Sequence, residues 1–339
     1  MRAAMYYSND DVRLVDVPRP KIGPGEILVK VRASGICGSD VMEWYRKPKA
    51  PLVLGHEIAA EVVEVGAGVP TIREKDRVFV SHHVPCGTCR YCVAGHETVC
   101  DTLRTTNFDP GGFAEFVRVP AINVKHGVFR LPDGLPDDEA VFVEPLACVV
   151  RGQRLARLRP GGTVVVIGSG VAGLLHVKLA KASGAARVIA TDIVDFRKAA
   201  ALKAGADLVV DGGEDVPARV RDANDGRLAD LVITCTGAPE AIGQGLASVD
   251  RGGMVLFFAP CEPTAKVEIP FDDLWREEVT MTSSYGGSPR DLGESITLLS
   301  EKRVSVGDLI THVLPLAEAG KGFRLVAHAR NSLKVVLRP

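Results

Sequence analysis

The chain has 339 residues, 46% hydrophobic and 24% charged, ordinary proportions for a soluble globular protein of about two domains. Lys plus Arg number 41 against 42 for Asp plus Glu, a balance that argues against a dedicated nucleic-acid surface. No run approaches the ~18 apolar residues of a membrane span, and the opening MRAAMYYSNDDVRL lacks an apolar core of signal-peptide length; a cytoplasmic, reducing setting is expected for the eight cysteines.

The first 150 residues are β-rich. EILVKVRA (26–33), IAAEVVEVG (58–66), DRVFVSHH (76–83) and FAEFVRVP (113–120) combine β-branched residues with partial alternation. PKIGPG, GAGVP and DPGG punctuate them. Short strands at this spacing predict a mostly antiparallel, barrel-like lobe.

Within that lobe, Cys86, Cys89, Cys92 and Cys100 form a C-x2-C-x2-C-x7-C comb. Four thiolates so close can converge on one tetrahedral ion, and zinc takes four sulfurs at about 2.3 Å in such closed structural sites. A ferredoxin comb sets its fourth cysteine three residues after the third, with Pro following; here the gap is seven and Asp101 follows. Two disulfides would need an oxidising compartment. A closed four-thiolate site leaves no open position, so chemistry is expected elsewhere. His82 and His83 lie beside the comb but outside its ligand spacing.

Cys37 lies in ASGICGSD, His56 and Glu57 in LGHE, and Glu144 in FVEPLACVV. One thiolate, one imidazole and one or two carboxylates suit a zinc site that keeps a position open for water or substrate. Taken singly, each has a plainer reading: a packed thiol, a core histidine, a surface charge, a carboxylate at a helix start. The basic stretch WYRKPK (44–49) offers Arg46, Lys47 and Lys49 either to an anionic substrate or to solvent.

From about residue 151 the pattern changes. TVVVIG (163–168) is followed by helix GLLHVKLAKASG, strand RVIATD, helix FRKAAALKAG, strand DLVVD, a polar helix, strand DLVITCTG, helix EAIGQGLASV, and strands GMVLFFAP and VTMTSSYG. Six apolar strands alternating with helices predict a doubly wound parallel sheet, an α/β architecture. GMVLFFAP is expected near its edge, where it can pair across a dimer axis. Cys148, Cys235 and Cys261 lie in or beside apolar runs and are expected to be buried.

Residues 168–173 read G-S-G-V-A-G between a strand and a helix. Gly168 permits the tight turn, Gly170 a close approach to a pyrophosphate, and Gly173 close helix–strand packing. Val171 and Ala172 open the helix whose N-terminus receives the phosphates. Asp192, nineteen residues beyond Gly173, suits the adenosine ribose hydroxyls and repels a 2′-phosphate, which favours NAD over NADP. Arg197 either stacks on adenine or admits NADP. Thr236, in DLVITCTG, is counted with the cofactor residues. The plain alternative is a tight turn without a ligand.

The last segment opens with a capping box: Ser288 as N-cap, Pro289 at the first helical position and Asp291 closing the box. That helix is expected to run to about Lys302, and the closing strand SLKVVLR to return to the first lobe.

Taken together, GICGSD (35–40), LGHE (54–57), the comb at 86–100, GGFAEF (111–116), EPLACVV (144–150) and GSGVAGL (168–174) resemble the zinc-containing medium-chain dehydrogenases, especially their sorbitol and threonine dehydrogenase branch. The resemblance covers essentially the whole chain. It implies a GroES-like, mostly-β catalytic domain over 1–150, a Rossmann domain with a six-stranded sheet over 151–287, and a tail, 288–339, returning to the catalytic domain. It implies one catalytic zinc on Cys37, His56 and a carboxylate. Glu57 is then the third ligand, with Glu144 near enough to bind or exchange with water. A structural zinc on the comb, NAD, a small-molecule alcohol substrate and a homo-oligomer, tetramer before dimer, complete the implication. The activity implied is oxidation of a secondary alcohol (a polyol, sugar or sugar-derived alcohol) to a ketone, with Ser39 accepting the hydroxyl proton. Oxidation of a threonine-type amino alcohol or of an anionic sugar acid or phosphate are the alternatives, and a non-catalytic nucleotide-binding relative is the rival outside enzymology. Two departures narrow the substrate. Met42 stands where relatives often carry His, and SSYGGSPRD (283–291) has Tyr285 but no Arg before it, against a strict sorbitol assignment.

Overall fold

A computed structural model describes all of residues 1–339. The chain divides into two units, residues 1–147 with 287–339, and residues 148–286.

The first unit is built on two sheets. In chain order its strands are β1 (Arg2–Ser8), β2 (Asp11–Asp16), β3 (Ile27–Gly35), β4 (Leu52–Val53), β5 (Glu57–Val65), β6 (Arg77–Val80), β7 (Phe116–Val119) and β8 (Val128–Arg130). The second unit supplies β9 (Thr163–Ile167), β10 (Arg187–Asp192), β11 (Leu208–Asp211), β12 (Ala229–Thr234), β13 (Val249–Phe257) and β14 (Thr280–Ser283), and the tail adds β15 (Ile310–Pro315) and β16 (Lys334–Arg338) to the first. A small sheet runs β2-β1-β4; the larger one runs β15-β16-β3-β5-β6-β8, with β7 also on β3. Alternation in β3 sends Ile27, Val29 and Val31 inward against Ile58, Ala60 and Val62 of β5, with Val78, Val80, Val117 and Val119 closing the cluster. The closing strand does return: β16 lies antiparallel to β3, Val336 opposite Gly35. β1, β2 and β15 carry no signal strong enough to single them out in the sequence, because their partners are fixed by tertiary pairing.

The second unit is an all-parallel sheet ordered β11-β10-β9-β12-β13-β14. Numbered within the unit this is 3-2-1-4-5-6, the doubly wound order, with the switch point between β9 and β12. β9 is buried at all five positions, as its unbroken TVVVI run requires of a strand covered on both faces. β13 lies next to the edge, as expected, but β12 and β14 flank it, so β14 and not β13 offers the free edge. Cys148, Cys235 and Cys261, expected to be buried, are partly exposed.

The predicted capping box is present: Ser288 Oγ accepts from Asp291 N while Asp291 Oδ2 accepts from Ser288 N (2.9 Å), and the helix spans Pro289–Ser300. At the other glycine-dependent junction, a Cβ on Gly173 would sit 1.9 Å from Gly168 O. Gly173→Ala must therefore force the helix Val171–Ala182 off β9. We expect a loss of about 1–3 kcal/mol in urea unfolding; an unchanged midpoint would show that the turn relaxes freely.

Candidate active site

The comb sulfurs converge. Cys86 Sγ lies 3.9 Å from Cys92 Sγ, Cys89 Sγ 3.5 Å from Cys92 Sγ, and Cys100 Sγ 3.6 Å from Cys86 Sγ. A tetrahedron with bonds of about 2.3 Å has edges of about 3.8 Å, so this donor set fits a zinc ion. The backbone N–H groups of Thr88 (3.4 Å) and Cys89 (3.3 Å) donate to Cys86 Sγ. With the Thr88 hydroxyl, they hold that thiol down to about 5, favouring the thiolate a metal needs.

A second group brings Cys37, His56 and Glu57 within reach of one ion. Each is placed by a local constraint. Cys37 caps the short helix Gly38–Val41, its sulfur accepting from Ser39 N at 3.5 Å and its N–H donating to Asp40 Oδ2 at 3.0 Å. His56 follows Gly55, which has φ +95° and no room for a side chain because its Cβ would meet Phe113 at 2.8 Å. Glu57 opens β5 opposite Gly35, where a Cβ would lie 2.1 Å from Glu57 Oε2. Glycine at 35 thus makes the space that Glu57 fills.

Two charged residues that the sequence did not single out, Asp40 and Lys334, join the site, and Arg46 of the basic stretch turns toward it. Asp40 is fully buried, with Oδ1 3.4 Å from His56 Nδ1. This is the arrangement that fixes a ligating imidazole's tautomer and leaves Nε2 for a metal. Burial alone would depress His56, but the Asp40 carboxylate and the Cys37 sulfur outweigh it and raise the imidazole well above its usual range. Lys334, on β16, donates to Glu57 Oε2 at 2.6 Å, with side chains 2% and 0% exposed. Burial opposes the ammonium, yet Glu57 and Cys37 raise its pKa. Glu57 Oε1 is buried with no hydrogen-bond partner, an acceptor left for a cation. Arg46 donates through Nη2 to Ser39 Oγ at 3.1 Å. His82, read as a bystander from its spacing, has its ring centroid 4.8 Å from that of His56, and burial first, then its cationic neighbours, push it well below the usual range. Glu144 lies on the helix Val143–Leu155 and is not among the converging ligands.

In the second unit, a Cβ on Gly170 would meet nothing within 4 Å, so space is open above the first turn of the helix Val171–Ala182. No side chain caps that helix, leaving its first N–H groups, at Val171, Ala172 and Gly173, facing outward for an anion. Gly168, φ +94°, lies 3.4 Å by its virtual Cβ from Thr236 Cβ at the end of β12. Asp192 is not a free carboxylate: Oδ2 accepts from Ser169 N and Oδ1 from Val194 N, both at 2.9 Å, with Arg197 Nη1 at 3.8 Å from Oδ2. A carboxylate has about four lone-pair sites, so two remain for a ribose.

The Glu57–Lys334 pair yields a stability test. Removing one partner of a buried pair leaves an uncompensated charge, at a cost of about 3–5 kcal/mol. We expect Lys334→Met to lose about that much in urea unfolding, and Lys334→Met combined with Glu57→Gln to recover most of it. Equal losses in the single and double variants would sink the pairing.

Comparison with known proteins agrees with this geometry. Residues 23–133 match the alcohol dehydrogenase GroES-like domain family and residues 170–301 the zinc-binding dehydrogenase family. An L-threonine 3-dehydrogenase of Bacillus licheniformis is 37% identical over 332 residues, covering 95% of this chain and 94% of that one. A sorbitol dehydrogenase of Halalkalibacterium halodurans is 32% identical over 334 residues, covering 95% and 94%. The crystal structure of 2R,3R-butanediol dehydrogenase from Bacillus subtilis superposes with a TM-score of 0.88 at 28% identity, covering 100% of this chain and 99% of that one. With a GroES-like unit carrying two converging ligand sets and a doubly wound unit carrying a glycine cradle, the chain belongs to the zinc-binding dehydrogenases of the alcohol dehydrogenase family.

Proposed function

We propose that this chain oxidises the secondary alcohol of a small polyol, sugar or sugar-derived compound to a ketone, using zinc and passing hydride to NAD. The observation that carries the reading is the mixed Cys37–His56–Glu57 set with an unsatisfied Glu57 oxygen, in one chain with an open phosphate cradle. Cys37, His56 and Glu57 would hold the reactive zinc, with Glu144 as an exchangeable carboxylate, and the comb would hold a second, structural zinc. When bound, the zinc supplies a Lewis acid that lowers the pKa of the substrate hydroxyl, and the dinucleotide takes the hydride.

The chain's residues do the positioning. Asp40 orients His56, and Lys334 holds one Glu57 oxygen so that the other points to the ligand set. Ser39 Oγ already accepts from Arg46 and keeps a second lone pair for the hydroxyl proton. Gly168, Gly170, Val171, Ala172 and Gly173 would hold the phosphates of the dinucleotide, and the remaining lone pairs of Asp192 would favour NAD over NADP, with Arg197 and Thr236 flanking. An amino-alcohol substrate of the threonine type is the second reading, supported by the relatives named L-threonine 3-dehydrogenase. We further infer a cytoplasmic homo-oligomer, a tetramer before a dimer. The unpaired edge of β14, where Met281 is 42% exposed, supports pairing between copies. No helix is long and apolar enough to cross a membrane.

The deciding assay is reduction of NAD⁺ and NADP⁺ by the zinc-loaded protein across polyols, sugar acids, simple secondary alcohols and threonine. Turnover with NAD⁺ preferred is expected; bound zinc and NAD without turnover of any would favour the non-catalytic alternative. Ser39→Ala should cost about 10²–10⁴-fold in kcat/KM, roughly 3–5 kcal/mol of barrier. Cys37→Ala should abolish activity and remove the catalytic zinc while the comb keeps its own. Inactive protein that retains both ions would refute Cys37 as a ligand.

A further inference from the structure

The loop after Cys37 carries three cations whose roles the structure separates. Lys47, with its side chain 63% exposed, faces Glu43 at 4.0 Å. Lys49 Nζ stands 3.8 Å from the Tyr45 ring centroid. Arg46 turns inward, with its side chain 15% exposed. Its Nε donates to Ser39 O at 3.0 Å and its Nη2 to Ser39 Oγ at 3.1 Å, with Asp40 Oδ1 at 3.5 Å. Its guanidinium lies 4.6 Å from the Tyr45 ring centroid, which fixes the plane. Nη1 donates to no group of the chain.

The charge of Arg46 is only partly answered. Asp40 Oδ2 also takes the Cys37 N–H, and Oδ1 is shared between His56 Nδ1 and the guanidinium. His83, on which Arg46 and Lys49 both act, brings no counter-charge. A guanidinium held by three of its contacts, with one nitrogen open beside the proposed proton acceptor, is a prepared partner for an oxyanion. A single open nitrogen next to a carboxylate suits one negative charge better than a phosphate dianion.

We propose that Arg46 reads a carboxylate on the substrate, so that the alcohol oxidised at the Cys37–His56–Glu57 site is a hydroxy acid whose carboxylate accepts from Nη1. The inference rests on the dehydrogenase reading above. In the reaction the carbinol C–H leaves as hydride to NAD⁺, the hydroxyl proton leaves through Ser39, a C=O bond forms, and the carboxylate is unchanged.

Matched substrates test this: D-gluconate against D-sorbitol, which exchanges the carboxylate for a hydroxymethyl group, and L-threonine against 1-amino-2-propanol, which lacks it. With zinc-loaded enzyme and NAD⁺, at least one pair should favour the carboxylate in kcat/KM by more than about 10-fold. Arg46→Gln should shrink that preference by about 10–100-fold, and Arg46→Lys by less. Calorimetric binding of gluconate and threonine without NAD⁺ should weaken in parallel in Arg46→Gln. A preference for the neutral twins, a preference unchanged in Arg46→Gln, or an effect confined to the KM of NAD⁺ overturns the proposal. Should none of the four compounds be oxidised, the wider alcohol panel decides the dehydrogenase reading, and the calorimetry decides Arg46 alone: weakened carboxylate binding sustains it, and absent or unchanged binding refutes it.

Discussion

The site depends on one buried ion pair, Lys334 with Glu57. The two residues are 277 apart in sequence and meet at 2.6 Å in a setting almost without solvent. Neither charge is stable there alone, since taking a carboxylate or an ammonium out of water costs several kcal/mol that only the partner offsets. The pair ties the last strand of the chain to β5 beneath Cys37, and Gly35 supplies the room for it. Without β16 the carboxylate would have no counter-ion, so the returning tail is part of the site and not merely a lid on the barrel.

The pair also decides what Glu57 can do. A carboxylate free on both oxygens would chelate or turn away. With Oε2 engaged by an ammonium, Oε1 is presented singly and unsatisfied. Asp40 does the equivalent for His56 at the opposite donor, taking Nδ1 and leaving Nε2. The comb, by contrast, is organised by backbone N–H groups pointing at sulfur. One set is held by loop backbone and closed by four like ligands. The other is held by side chains drawn from distant strands, which is how a site keeps ligands fixed while a coordination position stays available for chemistry.

What was legible in the sequence was what is local. The comb, the glycine cradle and the Ser288–Asp291 box each occupy a few consecutive turns, so spacing alone specifies their geometry. The alternation of strands and helices in the second unit likewise encodes its parallel sheet. Lys334 was invisible because nothing near it marks a buried lysine; its meaning lies in a pairing across the whole chain. His82 stands outside both ligand sets, as its spacing implied, and its packing on His56 arises across the lobe, where spacing along the sequence says nothing. That β13 has no free side for pairing across an axis has a similar cause, since VTMTSSYG pairs with it in parallel and only the fold reveals that partner.

Asp192 has a structural role that, on the proposed reading, also prepares it for a ligand. Its carboxylate accepts from Ser169 N and Val194 N, and so joins the glycine turn to the loop after β10 before any ligand arrives. A preorganised acceptor binds a ribose without first ordering those loops, which lowers the entropic cost of association. Arg46 follows the same logic in the other unit. It spends two of its nitrogens on Ser39, fixing the hydroxyl proposed as the proton acceptor, and keeps the third unused. On the reading proposed above, the open Nη1, rather than the bracing contacts, would meet the substrate carboxylate.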